Sequence, residues 1–155
     1  MPRLPYPKTW SWGRHSVTDK DIKLSRDEAR DGAMYVAHSA LYIMVIQIDT
    51  ALEKCFGGDR FSHPDKDIKS ASCIARLIRN AFAHDPFHPV WLVPSRMKKQ
   101  IFRLDKIDVE LNVNDLEGKN VKRSHYGGPL ALLQLSRFVR ELIVINGSIN
   151  TQFRS

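Results

Sequence analysis

Arg79-Asn80-Ala81-Phe82-Ala83-His84 closes a segment, beginning near Asp65, whose residue pattern decides the fold class. On a helical wheel of about 100° per residue, Ile68, Ala71, Ile74, Ala75, Leu77, Ile78, Ala81 and Phe82 fall on one broad side. An apolar stripe of that width marks a helix that buries one face against other elements. Lys69, Ser72, Cys73, Arg76, Arg79, Asn80 and His84 make up the other side. Arg76, Asn80 and His84 recur at i, i+4 and i+8, so they share one stripe, with Arg79 at the edge of the polar face. Asp85-Pro86 stops the helix, because a proline pushes the residue before it out of helical geometry. At the other end, Ser62 or Asp65 is expected as N-cap, with Pro64 in the first turn.

Two further helices flank this one. Ser25-Arg26-Asp27-Glu28 has the form of a capping box, so a long helix is expected to start there and to end at Gly57-Gly58. Its body, Ala33 to Leu52, is apolar on nearly every side, which predicts burial on most sides at a bundle centre or dimer face. One polar stripe, His38, Tyr42, Asp49 and Glu53 with Tyr35 beside it, interrupts that body and is a candidate to face the Arg79–His84 helix. The last helix follows Tyr126-Gly127-Gly128-Pro129, buries Leu132, Leu135, Phe138, Val139, Leu142 and Ile143, and is expected to end at Gly147.

Between the second and third helices the period changes. Ile107, Val109, Leu111 and Val113 alternate with Asp108, Glu110 and Asn112, which is the pattern of a half-buried strand. Val90 to Val93 and Ile101 to Leu104 are shorter strand candidates. The expectation is a small antiparallel sheet over about residues 90–123. Asp105, Asp108 and Glu110 lie on its solvated face without a histidine or a tight loop to converge on, so no metal site is expected. Lys98-Lys99 and Lys122-Arg123 offer phosphate-contacting charge.

At 155 residues, 43% hydrophobic and 26% charged, the chain is of a size and balance for one globular domain. A net charge of +7 and a pI near 9.6 fit a polyanionic partner. Met1 to Ser16 holds three prolines and basic residues but no apolar core, so a secretory leader is not expected. That stretch reads as an extended arm in which Tyr6, Trp10 and Trp12 alternate with Arg3, Lys8, Arg14 and His15, a mixture that can stack on bases and neutralise phosphates. Residues 17–150 then form the domain and 151–155 a polar tail. Cys55 and Cys73 make no disulfide framework, and the longest apolar run, Ala40 to Ile46, is short for a bilayer span, so a reduced cytoplasmic protein without membrane contact is expected.

An arginine, a polar residue directly after it and a histidine further along the helix (Arg79, Asn80, His84) resemble the R-x4-6-H signature of the HEPN family. The resemblance implies a mainly α, HEPN-like helical bundle, here with the small sheet inserted before the last helix. It also implies a two-fold homodimer and a metal-independent endoribonuclease that needs no cofactor, cleaves RNA and acts as a toxin or phage-defence effector, with a cognate antitoxin protein as a further partner. An inserted sheet is more than a minimal bundle of that family carries.

The motif's chemistry fits that implication. Metal-free RNA cleavage needs a base for the ribose 2′-OH, an acid for the leaving 5′-oxygen, and charge against the phosphorane-like transition state. Histidine suits the proton work, with an unperturbed pKa of about 6.5. Arginine stays protonated and presents a fork of donors to phosphate oxygens. His84, Arg79 and Asn80 are therefore the candidate catalytic residues, Asn80 orienting imidazole or phosphate, while Arg76 and His88 are candidates for substrate binding. One histidine does not conveniently act on both sides of the phosphorus, whereas a two-fold dimer supplies two. The alternatives are a non-catalytic HEPN-like module for nucleotide or RNA binding or for dimerisation, and a helical interaction protein.

Overall fold

A computed structural model describes residues 8–18 and 20–152, with side chains as far as Asn146. The chain divides into two compact units, residues 1–36 and 37–155. That boundary falls inside the first helix.

In the first unit, β1 (Thr9–Trp12) and β2 (His15–Thr18) pair antiparallel, with Trp12 opposite His15. Gly13 opens the two-residue turn at φ +58°, a conformation that glycine adopts without a Cβ penalty. The expected arm is thus a hairpin over its second half, and Trp12 stands 59% exposed, its ring centre 6.1 Å from that of His15. Pro2, Arg3, Pro5, Tyr6 and Pro7 lie outside the described residues. The capping box forms as expected: Glu28 N donates to Ser25 Oγ at 3.2 Å, and Ser25 N to Glu28 Oε2 at 2.8 Å. From it runs α1 (Arg26–Phe56), a helix of 31 residues.

The second unit is built on α2 (Lys66–Ala83), between the end of α1 and α3 (Gly128–Gln152). Asp65 is the N-cap of α2, accepting from Asp67 N at 2.8 Å and Ile68 N at 3.2 Å, so Pro64 precedes the cap instead of entering the first turn. Every apolar residue that the wheel assigns to one side of α2 is buried. Ser72 and Cys73, assigned to the polar side, are buried too, because the β strands cover that flank; burial pushes the Cys73 thiol up to about 11. The strands are β3 (Ile101–Leu104) and β4 (Val109–Asn112), paired with Phe102 opposite Leu111 and Leu104 opposite Val109. These four side chains are buried on the core side, and β3 packs on α2. Ile107 lies in the 3-10 turn between the strands and not in β4.

Val90 to Val93 does not become a strand. Pro89 and Pro94 bracket it, each lacking a backbone donor, and only Val90 makes a ladder bridge, to Asn120. Trp91 is fixed by other means: its N donates to Lys119 O and its O accepts from Gly118 N, both at 2.9 Å. Its indole is fully buried and donates to His125 Nδ1 at 2.8 Å. That nitrogen also accepts from Lys122 N at 3.2 Å, so the pair needs His125 neutral. Burial, then the neighbouring Lys122 and Lys119, lower the His125 pKa. On acidification the unfolded chain therefore takes up this proton first, from about pH 6.5 downward, and the stability held at higher pH is lost below that point. Urea midpoints at about pH 7.5 and 5.5 should fall further for wild type than for His125→Gln; equal falls count against this account.

The apolar face of α3 meets the core through Leu132, Leu135, Phe138 and Val139 as expected, but the helix continues past Gly147 to Gln152. The larger departure is α1. Of its many apolar side chains only Val45, Ile48 and Leu52 are buried, while Met34, Tyr35, Val36 and Ile43 are exposed. Hydropathy specified an apolar helix but not enough neighbours to cover it. By length and composition α1 could cross a bilayer, with an 18-residue stretch of mean hydropathy 1.2 that is 22% buried. Its C-terminal half is nevertheless tied into the folded core by a buried charge, Asp49.

Candidate functional site

Asp49 lies on the inner face of α1, flanked by Val45, Ile48 and Leu52, and is 1% exposed. Burying a carboxylate is costly unless cations and hydrogen bonds surround it. Three arginines do so here. Arg60 Nη2 reaches Asp49 Oδ1 at 3.2 Å, Arg76 Nε reaches the carboxylate at 3.2 Å, and Arg79 Nη1 reaches Oδ2 at 3.3 Å. Glu53, one turn along α1, adds contacts to Arg60 at 3.4 Å and Arg76 at 3.6 Å. Arg60 also donates to the Gly57 carbonyl at 2.9 Å, which ties the loop after α1 to the same cluster. Phe61 lies beneath the guanidiniums of Arg60, Arg96 and Arg76, at 4.5, 5.0 and 5.4 Å from its ring centre. Three arginines on two carboxylates leave one unit of positive charge. Each of Arg76 and Arg79 still has donors free of Asp49, with 24% and 39% of the side chain exposed.

The polar stripe of α1 does face the motif helix. Besides Asp49, the Tyr42 ring stacks on Phe82 at 6.4 Å, and the His38 ring meets Phe82 edge-on at 6.3 Å. Arg76 and Arg79 are thus brought together and aimed by α1. Asn80 is half-buried and His84 exposed, and among the described residues neither side chain is seen in a hydrogen bond or ion pair. His84 keeps helical angles, φ −89° and ψ −41°, so the i, i+4 relation to Asn80 persists to the end of the stripe.

His88 belongs to a separate small structure. Asp85 accepts from Phe87 N at 2.8 Å and His88 N at 3.0 Å, and its other oxygen meets His88 Nδ1 at 3.1 Å. These hydrogen bonds, the His88 amide first, lower the Asp85 pKa. His88 is 80% exposed, and the partner of its Nδ1 is Asp85. Among the described residues no three side chains converge as metal ligands, and Asp105 pairs instead with Arg103 at 2.7 Å.

Sequence reasoning did not single out Arg60, the most buried member of the cluster. It stands in the 3-10 turn Gly58–Phe61, too short to show a period, and its only signals are the helix-ending Gly57-Gly58 and the neighbouring Phe61. Comparison with protein-family models, with curated proteins and with solved structures finds no match.

Proposed function

We propose that this chain is a metal-independent endoribonuclease of the HEPN type, cleaving RNA by 2′-OH attack at a site completed by a second copy. The observation that carries this reading is the polar stripe of α2. Asp49 holds Arg76 and Arg79 at a fixed place with donors to spare, and His84 stands exposed at the end of the same helix, its side chain without a partner among the described residues. In this reading Arg79 and Arg76 take the phosphate oxygens, His84 moves the proton, and Asn80 orients the imidazole or the phosphate. RNA is the substrate, and a net charge of +7 draws it in. The protein works in the cytoplasm as a toxin or phage-defence effector, restrained by a cognate antitoxin.

The second copy supplies the second histidine for the opposite side of the phosphorus. The exposed apolar side of α1, continued by a groove of about 500 Å³ between α1 and α3 that Met44, Ala51 and Ile143 line, is the face it would cover. Ile43→Asp on that face, where Ile43 is 58% exposed, is expected to yield a monomer by sedimentation and to lower RNA cleavage in parallel. A monomer that cleaves as well as wild type contradicts the composite site. The experiment on the reading as a whole is RNA cleavage by Arg79→Ala and His84→Ala, both expected to be inactive while folded.

One observation favours a second reading, a non-catalytic module that binds RNA or nucleotide. Arg79 is already paired with a buried carboxylate, as a purely structural arginine would be. That reading predicts salt-sensitive binding without cleavage.

A further inference from the structure

A cleft of about 220 Å³ opens where α1, the turn after α2 and the segment before α3 meet. His38, Phe82, Phe87, His88, Asn120 and Arg123 are among the residues that line it. Phe82 belongs to the motif stretch itself, and the turn that carries Phe87 and His88 begins directly after His84. The cleft is smaller than the roughly 300–1,000 Å³ of pockets that take drug-sized ligands, which limits it to a single ring system and its substituents.

Its chemistry is specific. His38 Nδ1 is shut off from solvent and has no hydrogen-bond partner among the described residues, and the ring meets Phe82 edge-on at 6.3 Å. A polar atom buried without a partner is a standing cost that a ligand atom would relieve. Asn120 offers an amide that both donates and accepts, the group that reads a base edge. Phe87, 41% exposed, gives an aromatic face at the rim. Arg123 is the cation among the lining residues, and its guanidinium fork matches phosphate oxygens. The carboxylate nearest in the chain, Asp85, is engaged by His88 and its own turn.

We infer that this cleft binds one nucleotide of the RNA strand, with the base between Phe87 and the His38–Asn120 side and its phosphate on Arg123. The inference rests on the RNA-directed reading above and adds to it a base-holding subsite beside the cleavage motif, built within one chain.

The test is calorimetric titration of the intact protein with each of the four nucleoside 5′-monophosphates, and with inorganic phosphate and ribose 5-phosphate as base-free probes. At least one nucleotide should bind saturably and at least about tenfold more tightly than either base-free probe. Arg123→Ala and Asn120→Ala, both at exposed positions, should each weaken it by about tenfold. His38→Ala should do the same if its urea midpoint shows a folded protein; the two exposed variants decide the matter if it does not fold. No saturable binding, or phosphate binding as tightly as every nucleotide, overturns the subsite. Nucleotide binding with no RNA cleavage keeps the subsite and removes the nuclease, so the two failures are distinct.

Discussion

Replacing Asp49 by alanine is expected to destabilise the protein by about 3–5 kcal/mol, the usual cost of removing one partner from a buried ion pair. The cation left behind is Arg60, whose side chain is 1% exposed, whose Nε has no partner among the described residues, and whose one remaining counter-charge is the 57%-exposed Glu53 at 3.4 Å. Arg76 and Arg79 lose less, since both reach solvent. The loss is one of pairing rather than of volume, and a double variant separates the two. Asp49→Leu with Arg60→Met substitutes apolar groups of similar size for both charges, which is often neutral or stabilising. It should recover most of the lost stability in a urea midpoint. A single Asp49→Ala within about 1 kcal/mol of wild type would mean that water reaches the cluster and that it fixes neither arginine.

His84→Ala carries the largest expected effect on activity, a fall of about 10²–10⁴-fold in RNA cleavage, the range for losing a positioned proton-transfer group. The same change should leave the fold within about 0.5 kcal/mol, because the side chain is exposed and makes no contact that the helix needs. Arg79→Lys sharpens the point. It keeps a cation near Asp49 but gives up the planar fork that matches phosphate oxygens, so it should lose most cleavage while keeping most stability. Equal loss of stability and cleavage in both variants would assign Arg79 and His84 to the fold alone.

Much of this architecture was legible in the chain because burial writes a period into it. The face of α2, the inward residues of β3 and β4, the start of α1 at Ser25 and the face of α3 all follow from spacing and capping. What escaped was set by contacts between distant residues. The wheel for α2 cannot say that β3 covers Ser72 and Cys73, nor does the apolar body of α1 disclose that so few of its residues find a neighbour. Val90 to Val93 has a strand's composition, but its two flanking prolines and the loop at residues 118–121 leave it one bridge. At the site, the spacing of Arg76, Asn80 and His84 was readable, as was Asp49 among the polar residues facing α2. That Asp49 gathers Arg60, Arg76 and Arg79 depends on side chains from three elements, and Arg60 in its short turn gives no periodic signal.

The most direct measurement is cleavage of a mixed-sequence single-stranded RNA in excess EDTA, with wild type and His84→Ala side by side and the product ends identified. Wild type should cut and leave 2′,3′-cyclic phosphate ends, and the folded His84→Ala protein should not cut. Equal background from both proteins, shown to be folded and dimeric, would contradict the nuclease account and leave the chain as a binding module.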